Sequence, residues 1–460
     1  MANGSIFFCM IFINIRLFAQ LTMPAVFSDN MVLQQNCRVL VWGYGNRDEV
    51  VKIQGSWSPL DTIYAKADVL GKFQAYLPTH NYGGPYTLSI WGSRNFEYSN
   101  VMIGEVWLCS GQSNMAMPLS RTLGGNVEEA NTDNPQIRIF SVPVKGASTA
   151  QNDCDGQWNL CLPDNAKRTS AVAYYFARQL NEKMHVPVGI LVSAAGGTPA
   201  EAWTPGDVIE RDTLIKRNLC EELWNTRPSR PGVLYNWMIH PIIAYTFAGC
   251  IWYQGESNHL HYSVYSRLLG VMLKSWRERA GREFPFYLVQ IAPYRYDSER
   301  NTPALLREQQ ANFAKKENRT GMVVISDLVD NLNDIHPTLK KKVGVRLANL
   351  ALGDYYGCLS EGFETPVFSD ISFEKSKAII EFDNLKTLVK KNPKIDGLQI
   401  AGQDSIYHVA LCEVKEKKLI VWSEKVKKPA YVRYCFTDSY IPGLFNEAGL
   451  PVAPFRTDNF

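Results

Sequence analysis

Short apolar runs separated by turns make up the first part of the chain. Over residues 21–101, apolar and polar positions alternate within short segments such as RVLVWGYG, KFQAYLP and PYTLSIWG. Residues that favour turns, among them Asn46, Pro59 and Gly71, separate these segments. Alternation with a period of two between turn signals is typical of strands with one buried face. The pattern therefore predicts a β-rich domain over residues 21–101.

From residue 102 onward, apolar strands alternate with helical patterns. The segments GEVWLCSG, VPVGILVSAAGG, AGCIWYQG, FPFYLVQIAP and GMVVISDL predict buried strands. Apolar residues at helical spacing predict helices over residues 170–184, 262–279, 303–317 and 337–352. Ser170 is a suitable N-cap for the first of these helices, and Pro337 fits the first turn of the last. Strands alternating with helices predict an α/β domain with a mostly parallel sheet over residues 102–358.

Short strands return in the last hundred residues. KAIIEFDN, VALCEVKEKKLIVWSE and AYVRYCFTD alternate in the manner of strands. Residues 359–460 are therefore predicted to form a second β-rich region.

The first twenty residues have the pattern of an export signal. Residues 5–15 read SIFFCMIFINI, and Ala19-Gln20 follows as a plausible cleavage region. An apolar run this short is typical of a signal peptide rather than of a membrane span, which needs about 20 apolar residues. We expect residues 1–20 to be a signal peptide and the protein to be secreted or periplasmic. A buried N-terminal strand is the alternative.

The composition is that of a globular protein with a substantial core. Apolar residues make up 46% of the chain, and the net charge of +3 gives no indication of a nucleic acid or an anionic membrane as partner. The ten cysteines show no C-x-x-C and no zinc-like spacing, so we expect no metal and no cofactor. Cys154 and Cys161 are close enough in sequence to close a small disulfide loop.

Polar motifs follow four of the predicted strands. They are CSGQSNM at 109–115, SAAGGTP at 193–199, WYQGESN at 252–258 and DIHP at 334–337. Each motif alone fits a tight turn or a buried polar loop. The carboxyl ends of parallel strands, however, meet at one edge of a sheet, where functional groups gather. Four such motifs at one edge favour a functional site.

These motifs contain the parts of a serine nucleophile. Ser113 follows a strand directly, in a turn where backbone N–H groups are free to bind an oxyanion. A serine hydroxyl reacts only when a base removes its proton, and that base needs an acceptor to orient it. His336 is the candidate base, and Asp334 lies two residues before it. A turn or capping role is the alternative for Asp334.

The motifs together resemble a known family. GQSNM, AAGGTPAEAW, WYQGESN and DIHP resemble the SGNH-type hydrolases and, more narrowly, the sialate O-acetylesterases and related carbohydrate acetylesterases. The segments LTMPAVFSDNMVLQQ and LFNEAGLPVAPFRTD resemble the chain ends of the same family. The resemblance implies an SGNH-hydrolase-like three-layer α/β/α domain, with β-rich accessory regions on its N-terminal and C-terminal sides.

The resemblance also implies roles for individual residues. Ser113 would be the nucleophile and His336 the general base, and the backbone N–H groups of Ser113 and Gly197 would line the oxyanion hole. The loop with Gln254 takes the place of an Asn-bearing block in typical SGNH enzymes, so Gln254 is predicted as a third oxyanion donor.

The carboxylate that orients His336 has more than one candidate, and several residues are candidates for substrate contacts. Only one residue separates Asp334 from His336, where typical SGNH enzymes have two, so Glu256 and Asp330 are alternative partners for the imidazole. Substrate contacts are predicted for polar and aromatic side chains of the motifs, namely Gln112, Asn114, Trp203, Glu256 and Asn258.

The resemblance favours O-acetylated sialic acid as the substrate, cleaved through an acetyl-enzyme intermediate. The carboxylate of this sugar suits an arginine, and Arg121, Arg295 and Arg307 are candidates. An acetylated polysaccharide such as xylan is the alternative substrate. A non-catalytic carbohydrate-binding protein on a hydrolase scaffold is the alternative of another class. We expect an acetylated sugar as partner, no nucleic acid, and no membrane insertion of the mature protein.

Overall fold

The structure is a computed structural model that describes residues 20–219, 229–296 and 301–459. The predicted signal peptide, up to residue 19, lies outside these residues. Helices and strands are numbered in chain order. The first six strands are β1 (Val32–Gln34), β2 (Arg38–Tyr44), β3 (Val50–Gly55), β4 (Ile63–Lys66), β5 (Lys72–Pro78) and β6 (Gly83–Trp91). Every pairing among these six strands is antiparallel, as expected for a β-rich segment.

The seventh strand joins the N-terminal strands to the central sheet. Strand β7 (Phe96–Gly111) has 16 residues and runs without a break through the predicted boundary at residues 101 and 102. Its first half pairs antiparallel with β6. Its second half is a central strand of a parallel sheet. The strand that leads to Ser113 is therefore anchored in both parts of the molecule.

The central sheet contains six more strands. They are β8 (Asn134–Ser141), β9 (Trp158–Cys161), β10 (Val188–Ala194), β11 (Gly249–Tyr253), β12 (Phe286–Val289) and β13 (Thr320–Val323). Their spatial order is β13-β12-β11-β7-β10-β8-β9. All neighbours are parallel except β9, which pairs antiparallel with β8. Strands β8 and β9 were not predicted from the sequence.

The helices of the central domain follow the predicted pattern in most places. They are α1 (Ser113–Ala116), α2 (Gly125–Ala130), α3 (Pro163–Ala166), α4 (Ala171–Met184), α5 (Gly206–Arg211), α6 (Thr213–Asn218), α7 (Tyr265–Ala280), α8 (Thr302–Lys316) and α9 (Lys340–Leu350). Short 3₁₀ segments include Leu119–Arg121, Ala200–Trp203 and Glu256–Val264. The Ser170 side chain caps α4 by accepting the Ala173 N–H at 3.2 Å, as predicted.

The predicted start of the last helix at Pro337 is wrong. Helix α9 begins at Lys340, because the Lys340 N–H bonds to the Thr338 carbonyl at 2.8 Å in a preceding turn. Pro337 therefore belongs to the loop that carries His336.

The central sheet is buried on both faces. Successive residues of its strands point to opposite sides, and each side packs into a different hydrophobic core. Trp107 and Cys109 of β7 pack with apolar residues of α4 and α9. Val106 and Leu108 of the same strand belong to a second core, which includes α7, α8 and the N-terminal strands. This arrangement is the three-layer α/β/α domain that the sequence predicted.

The C-terminal region is made of short antiparallel strands around a core of its own. They are β14 (Val367–Glu374), β15 (Lys377–Asp383), β16 (Leu388–Lys390), β17 (Leu398–Ala401), β18 (His408–Val409), β19 (Leu411–Lys415), β20 (Lys418–Trp422), β21 (Tyr431–Tyr434), β22 (Leu444–Asn446) and β23 (Phe455–Arg456). The Arg456 guanidinium bonds Glu308 of α8 at 2.7 and 2.9 Å and ties this region to the central domain.

The structure also bears on the suggested disulfide and on membrane insertion. Cys154 and Cys161 are both buried free thiols, so the disulfide suggested for them is not formed. Within the three described stretches of chain, no helix is long and apolar enough to cross a membrane.

Candidate active site

The nucleophile loop is placed by a close contact between β7 and β11. Gly111, the last residue of β7, has a φ of +140°, and a Cβ there would lie 2.2 Å from the Tyr253 carbonyl oxygen. Glycine is therefore required at this position. The Gln112 N–H then donates to the same carbonyl at 3.0 Å, and Ser113 begins the short helix α1.

Ser113 and His336 meet directly at this edge of the sheet. The His336 Nε2 atom lies 2.9 Å from the Ser113 Oγ atom, although 223 positions separate the two residues in sequence. This distance is within the range for a hydrogen bond between a nucleophile and its base. The structure thus brings together the two residues that the sequence analysis singled out for the chemistry.

Asp334 is the carboxylate next to the imidazole. Its Oδ1 atom lies 3.5 Å from His336 Nδ1 and accepts the His336 backbone N–H at 2.9 Å. Burial lowers the pKa of His336 below its ordinary value of 6.5, although Asp334 acts in the opposite direction. The neutral imidazole, which is the form able to take a proton, therefore persists to lower pH than in a free histidine.

The two alternative carboxylates have other partners. Asp330 accepts a hydrogen bond from the Thr338 hydroxyl at 2.6 Å, and Glu256 accepts one from the Asn114 amide at 2.6 Å. Of these three carboxylates, only Asp334 contacts His336 in the described part of the chain. The geometry therefore favours Asp334 as the residue that orients the base.

The glycine loop after β10 lies against the nucleophile. A Cβ on Gly196 would be only 3.6 Å from the Ser113 Cβ. Gly197 has a φ of +68°, which favours glycine. Across residues 20–219, 229–296 and 301–459, neither the Ser113 N–H nor the Gly197 N–H has a hydrogen-bond acceptor. Two unpaired backbone donors near a serine hydroxyl are the elements of an oxyanion hole.

Known proteins are similar to this chain in sequence. A family model described as "Carbohydrate esterase, sialic acid-specific acetylesterase" matches residues 103–353. Sialate O-acetylesterase of Homo sapiens is 30% identical over 408 residues, covering 80% of this chain and 78% of the relative. Its counterpart in Pongo abelii matches equally, at 30% over 408 residues with the same coverage. The chain belongs to this family of carbohydrate esterases.

A solved structure extends the likeness to the whole chain. The crystal structure of a carbohydrate acetylesterase from Xanthomonas citri superimposes with a TM-score of 0.87 and 33% sequence identity. It covers 96% of this chain, which in turn covers all of it. The β-rich regions of this esterase are therefore shared with that relative as well.

The geometry does not fit Gln254 as a third oxyanion donor. Its side chain is fully buried, and its amide nitrogen donates to Asn258 Oδ1 at 2.7 Å, Gln112 Oε1 at 3.1 Å and the Thr198 carbonyl at 3.2 Å. An amide nitrogen has two hydrogens, so none is left for a substrate. Gln254 instead ties the nucleophile loop to the glycine loop.

The predicted substrate contacts are also largely internal. Trp203 is fully buried and donates its indole N–H to Thr198 at 3.0 Å, so it offers no face to a sugar. Asn258 bonds Glu201 at 2.9 Å and the Ala200 N–H at 2.9 Å.

The other three predicted substrate contacts, Gln112, Asn114 and Glu256, lie in the Ser113 loop or bond to it. Asn114 and Glu256 bond each other, and the Gln112 oxygen accepts the backbone N–H groups of Gly255 and Ser257 at 3.4 and 3.3 Å. All three side chains are buried. They hold the loops in place, and the buried Glu256 Oε2 atom has no hydrogen-bond partner among the described residues.

Two buried ionisable residues that contact amides of the motifs were not predicted from the sequence. Lys340 is fully buried and donates to Asn114 Oδ1 at 2.6 Å, and burial lowers its pKa to about 7. Glu201 is buried in the 3₁₀ segment that follows the glycine loop, and burial raises its pKa to about 7. Helical spacing held a signal for Lys340, because Val343, Gly344 and Leu347 share its buried face of α9.

The three candidate arginines lie in different environments. Arg307 is fully buried and donates to the Thr437 carbonyl, so it is not accessible to a sugar. Arg295 is exposed and bonds Asn333, next to Asp334, at 3.2 Å. Arg121 is exposed, and its charge is one of those that lower the pKa of His336. Arg121 and Arg295 therefore remain as candidates near the dyad.

Among the residues that the structure describes, no three His, Cys, Asp or Glu side chains are placed to hold a metal ion.

Proposed function

We propose that this esterase removes O-acetyl groups from sialic acid through an acetyl-enzyme intermediate on Ser113. The observation that carries the proposal is the 2.9 Å contact between Ser113 Oγ and His336 Nε2, beside two unpaired backbone N–H groups. Membership of the sialic acid-specific acetylesterase family supports the choice of ester. The names of the relatives, sialate O-acetylesterases, support the choice of sugar.

In the first half-reaction, the Ser113 oxygen attacks the acetyl carbonyl while His336 Nε2 takes the hydroxyl proton. The N–H groups of Ser113 and Gly197 bind the oxyanion that forms. The C–O bond to the sugar then breaks, and His336 returns its proton to the departing sugar oxygen. Acetyl-Ser113 and the free sugar hydroxyl result.

In the second half-reaction, water replaces the sugar. His336 takes a proton from the water as its oxygen attacks the acetyl-Ser113 carbonyl, and the same N–H groups bind the oxyanion. The C–O bond to Ser113 breaks, and His336 protonates the serine oxygen. Acetate leaves, and the dyad returns to its starting state. Asp334 stabilises the imidazolium that exists during both half-reactions.

Two observations favour a charged sugar over a neutral polysaccharide. The exposed Arg121 and Arg295 lie near the His336 loop, where a sugar carboxylate can pair with a guanidinium. Trp203 and Trp252 of the motifs are fully buried and cannot serve as stacking platforms for a neutral chain. A non-catalytic binding protein would have no need of the dyad.

The test compares acetate release from 9-O-acetylated sialic acid and from acetylated xylan. We expect faster release from the sialic acid, and only background release by Ser113→Ala. Release from xylan alone would reject the sugar while leaving the esterase in place. Failure of the folded protein to hydrolyse p-nitrophenyl acetate would reject the esterase and favour a binding protein.

We also propose that the protein is exported, to the periplasm or the medium. The apolar run at residues 5–15 and the cleavage region at Ala19-Gln20 support this proposal. Sequencing the N-terminus of the protein purified from its native cells tests it. A start near Leu21 is expected, and an intact N-terminus on an intracellular protein would contradict it.

A further inference from the structure

A buried side-chain amide joins the nucleophile loop to the base loop. Asn114, directly after Ser113, donates from Nδ2 to the Ile335 carbonyl at 3.0 Å. Ile335 directly precedes His336. The bond therefore spans the two loops one residue away from each member of the dyad. Its length and direction influence the position of the imidazole relative to the serine hydroxyl.

The orientation of this amide is set by one donor and one acceptor. Lys340 donates from Nζ to Asn114 Oδ1 at 2.6 Å, and Glu256 Oε1 accepts from Asn114 Nδ2 at 2.6 Å. A lysine ammonium can only donate, and an ionised carboxylate can only accept. If the amide turned over, its nitrogen would face Lys340 and its oxygen would face Glu256 and the Ile335 carbonyl. The pair thus enforces the orientation that binds Ile335.

Lys340 has no exposed surface, and its surroundings account for its burial. Its Nζ lies 5.0 Å from the centre of the Tyr253 ring, at the end of β11. Glu256 supplies the opposite charge nearby. A lysine is rarely buried without such partners. By contrast, the side chain of the next residue, Lys341, is 59% exposed and lies 3.6 Å from Glu128.

From these contacts we infer that Lys340 is a positioning residue of the esterase, which acts through the Asn114 amide to hold His336 against Ser113. This inference rests on the proposed function, since it assigns the geometry of the Ser113–His336 dyad to a residue that touches neither of them. Lys340 does not take part in proton transfer. Its effect is to keep the imidazole at the right distance and angle.

The first experiment replaces Lys340→Met and measures kcat and KM for p-nitrophenyl acetate per folded molecule, with near-UV circular dichroism to determine the folded fraction. We expect kcat to fall about 100-fold, since a shift of about 1 Å in a reacting group costs that much. KM should change little, because Lys340 is buried away from the substrate. Lys341→Met is the matched control and should retain wild-type kcat.

A second variant separates positioning from charge balance. Lys340→Met with Glu256→Gln removes both buried charges, so the fold regains neutrality in that region. The double variant should be more stable than Lys340→Met and yet retain its low kcat, because Asn114 Oδ1 then has lost its lysine donor and a glutamine at position 256 can bond the amide in either orientation. Recovery of wild-type kcat in the double variant would show that Lys340 only balances Glu256, and would overturn the inference.

A pH profile gives a readout that a loss of stability alone would not change. Asp334, Lys340 and Arg121 are the charges that act on the pKa of His336. Removing the positive charge of Lys340 should move the acidic limb of kcat/KM to higher pH, in both Lys340→Met and the double variant. An unshifted limb with near-normal kcat per folded molecule would reject the inference.

Ser113→Ala in the same assay distinguishes the two proposals. If Ser113→Ala remains active, the proposed function fails, whatever Lys340→Met does. If Ser113→Ala is inactive and Lys340→Met has wild-type kcat, the function stands and the positioning role alone fails.

Discussion

The two sides of Ser113 are built from the same kinds of groups but differ in charge. On the base side, the Asn114 amide bonds Glu256 and Lys340. On the oxyanion side, Asn258 bonds Glu201 at 2.9 Å, and Gln254 bonds Asn258. The base side therefore has one buried amide and one buried glutamate, and the oxyanion side has two buried amides and one buried glutamate. Among the described residues, only the base side has a buried lysine.

The carboxylates of the two sides suit the charges that form there. An imidazolium forms on the base side during the reaction, and Asp334 is there to stabilise it. A negative charge forms on the oxyanion side, where an ionised glutamate would be unfavourable. Burial raises the pKa of Glu201 to about 7, so this side chain mostly holds its proton below that pH. Four variants test the comparison, beginning with the largest expected effect.

His336→Ala should abolish the base function. We expect kcat to fall by about 10⁴-fold or more, because Ser113 then has no group to take its proton. The double variant with Ser113→Ala should be no slower than either single variant, since the two residues act as one unit. A further multiplicative loss in the double variant would show that they act independently.

Gly197→Ala tests the oxyanion side. The residue has a φ of +68°, so a Cβ strains the loop and moves its N–H away from the oxyanion. We expect kcat to fall by about 10²–10³-fold, the usual cost of losing one oxyanion donor. Gly281→Ala, at a φ of +66° with open space around it, is the matched control and should affect stability only. An equal loss of rate in the control would remove the oxyanion interpretation.

Asp334→Asn tests the carboxylate beside the base. The carboxylate favours the imidazolium, so its removal should lower the pKa of His336 and move the acidic limb of kcat/KM to lower pH. We expect kcat to fall by about tenfold, less than in buried triads, because Asp334 is half exposed and 3.5 Å away. Asp330→Asn, whose partner is Thr338, should leave the limb unchanged. A shift in Asp330→Asn alone would reassign the role.

Glu201→Gln should have the smallest effect on rate and a clear effect on stability. The native state binds the Glu201 proton more tightly than the unfolded state, so wild-type stability should fall as pH rises from about 4.5 to about 7. That fall can reach about 3 kcal/mol. The glutamine variant still accepts from Asn258 and should lack this loss. Thermal melts at several pH values measure it, and identical pH dependence in both proteins would contradict the raised pKa.

The sequence predicted the parts of the site that lie at strand ends. The motifs of Ser113, Gly197 and His336 each follow a buried strand, and parallel strands bring their carboxyl ends to one edge. This rule is sufficient to predict that the residues meet. The resemblance to the esterases then predicted the chemistry.

The sequence could not predict where each polar side chain of the motifs points. Gln254 and Trp203 were interpreted as groups that face a ligand, but both are buried by residues distant in sequence. Lys340 stands in a run of three lysines, and such a run is usually a solvated surface. Its position on the buried face of α9, together with Val343, Gly344 and Leu347, turns this one lysine inward.

The measurement that tests the central claim most directly is rapid quenching of the wild-type enzyme during turnover of an acetyl ester, followed by peptide mass spectrometry. We predict one acetyl group on the peptide that contains Ser113, formed in wild type and lacking in Ser113→Ala. An acetyl group on a different residue, or undiminished acetate release by Ser113→Ala, would contradict the account.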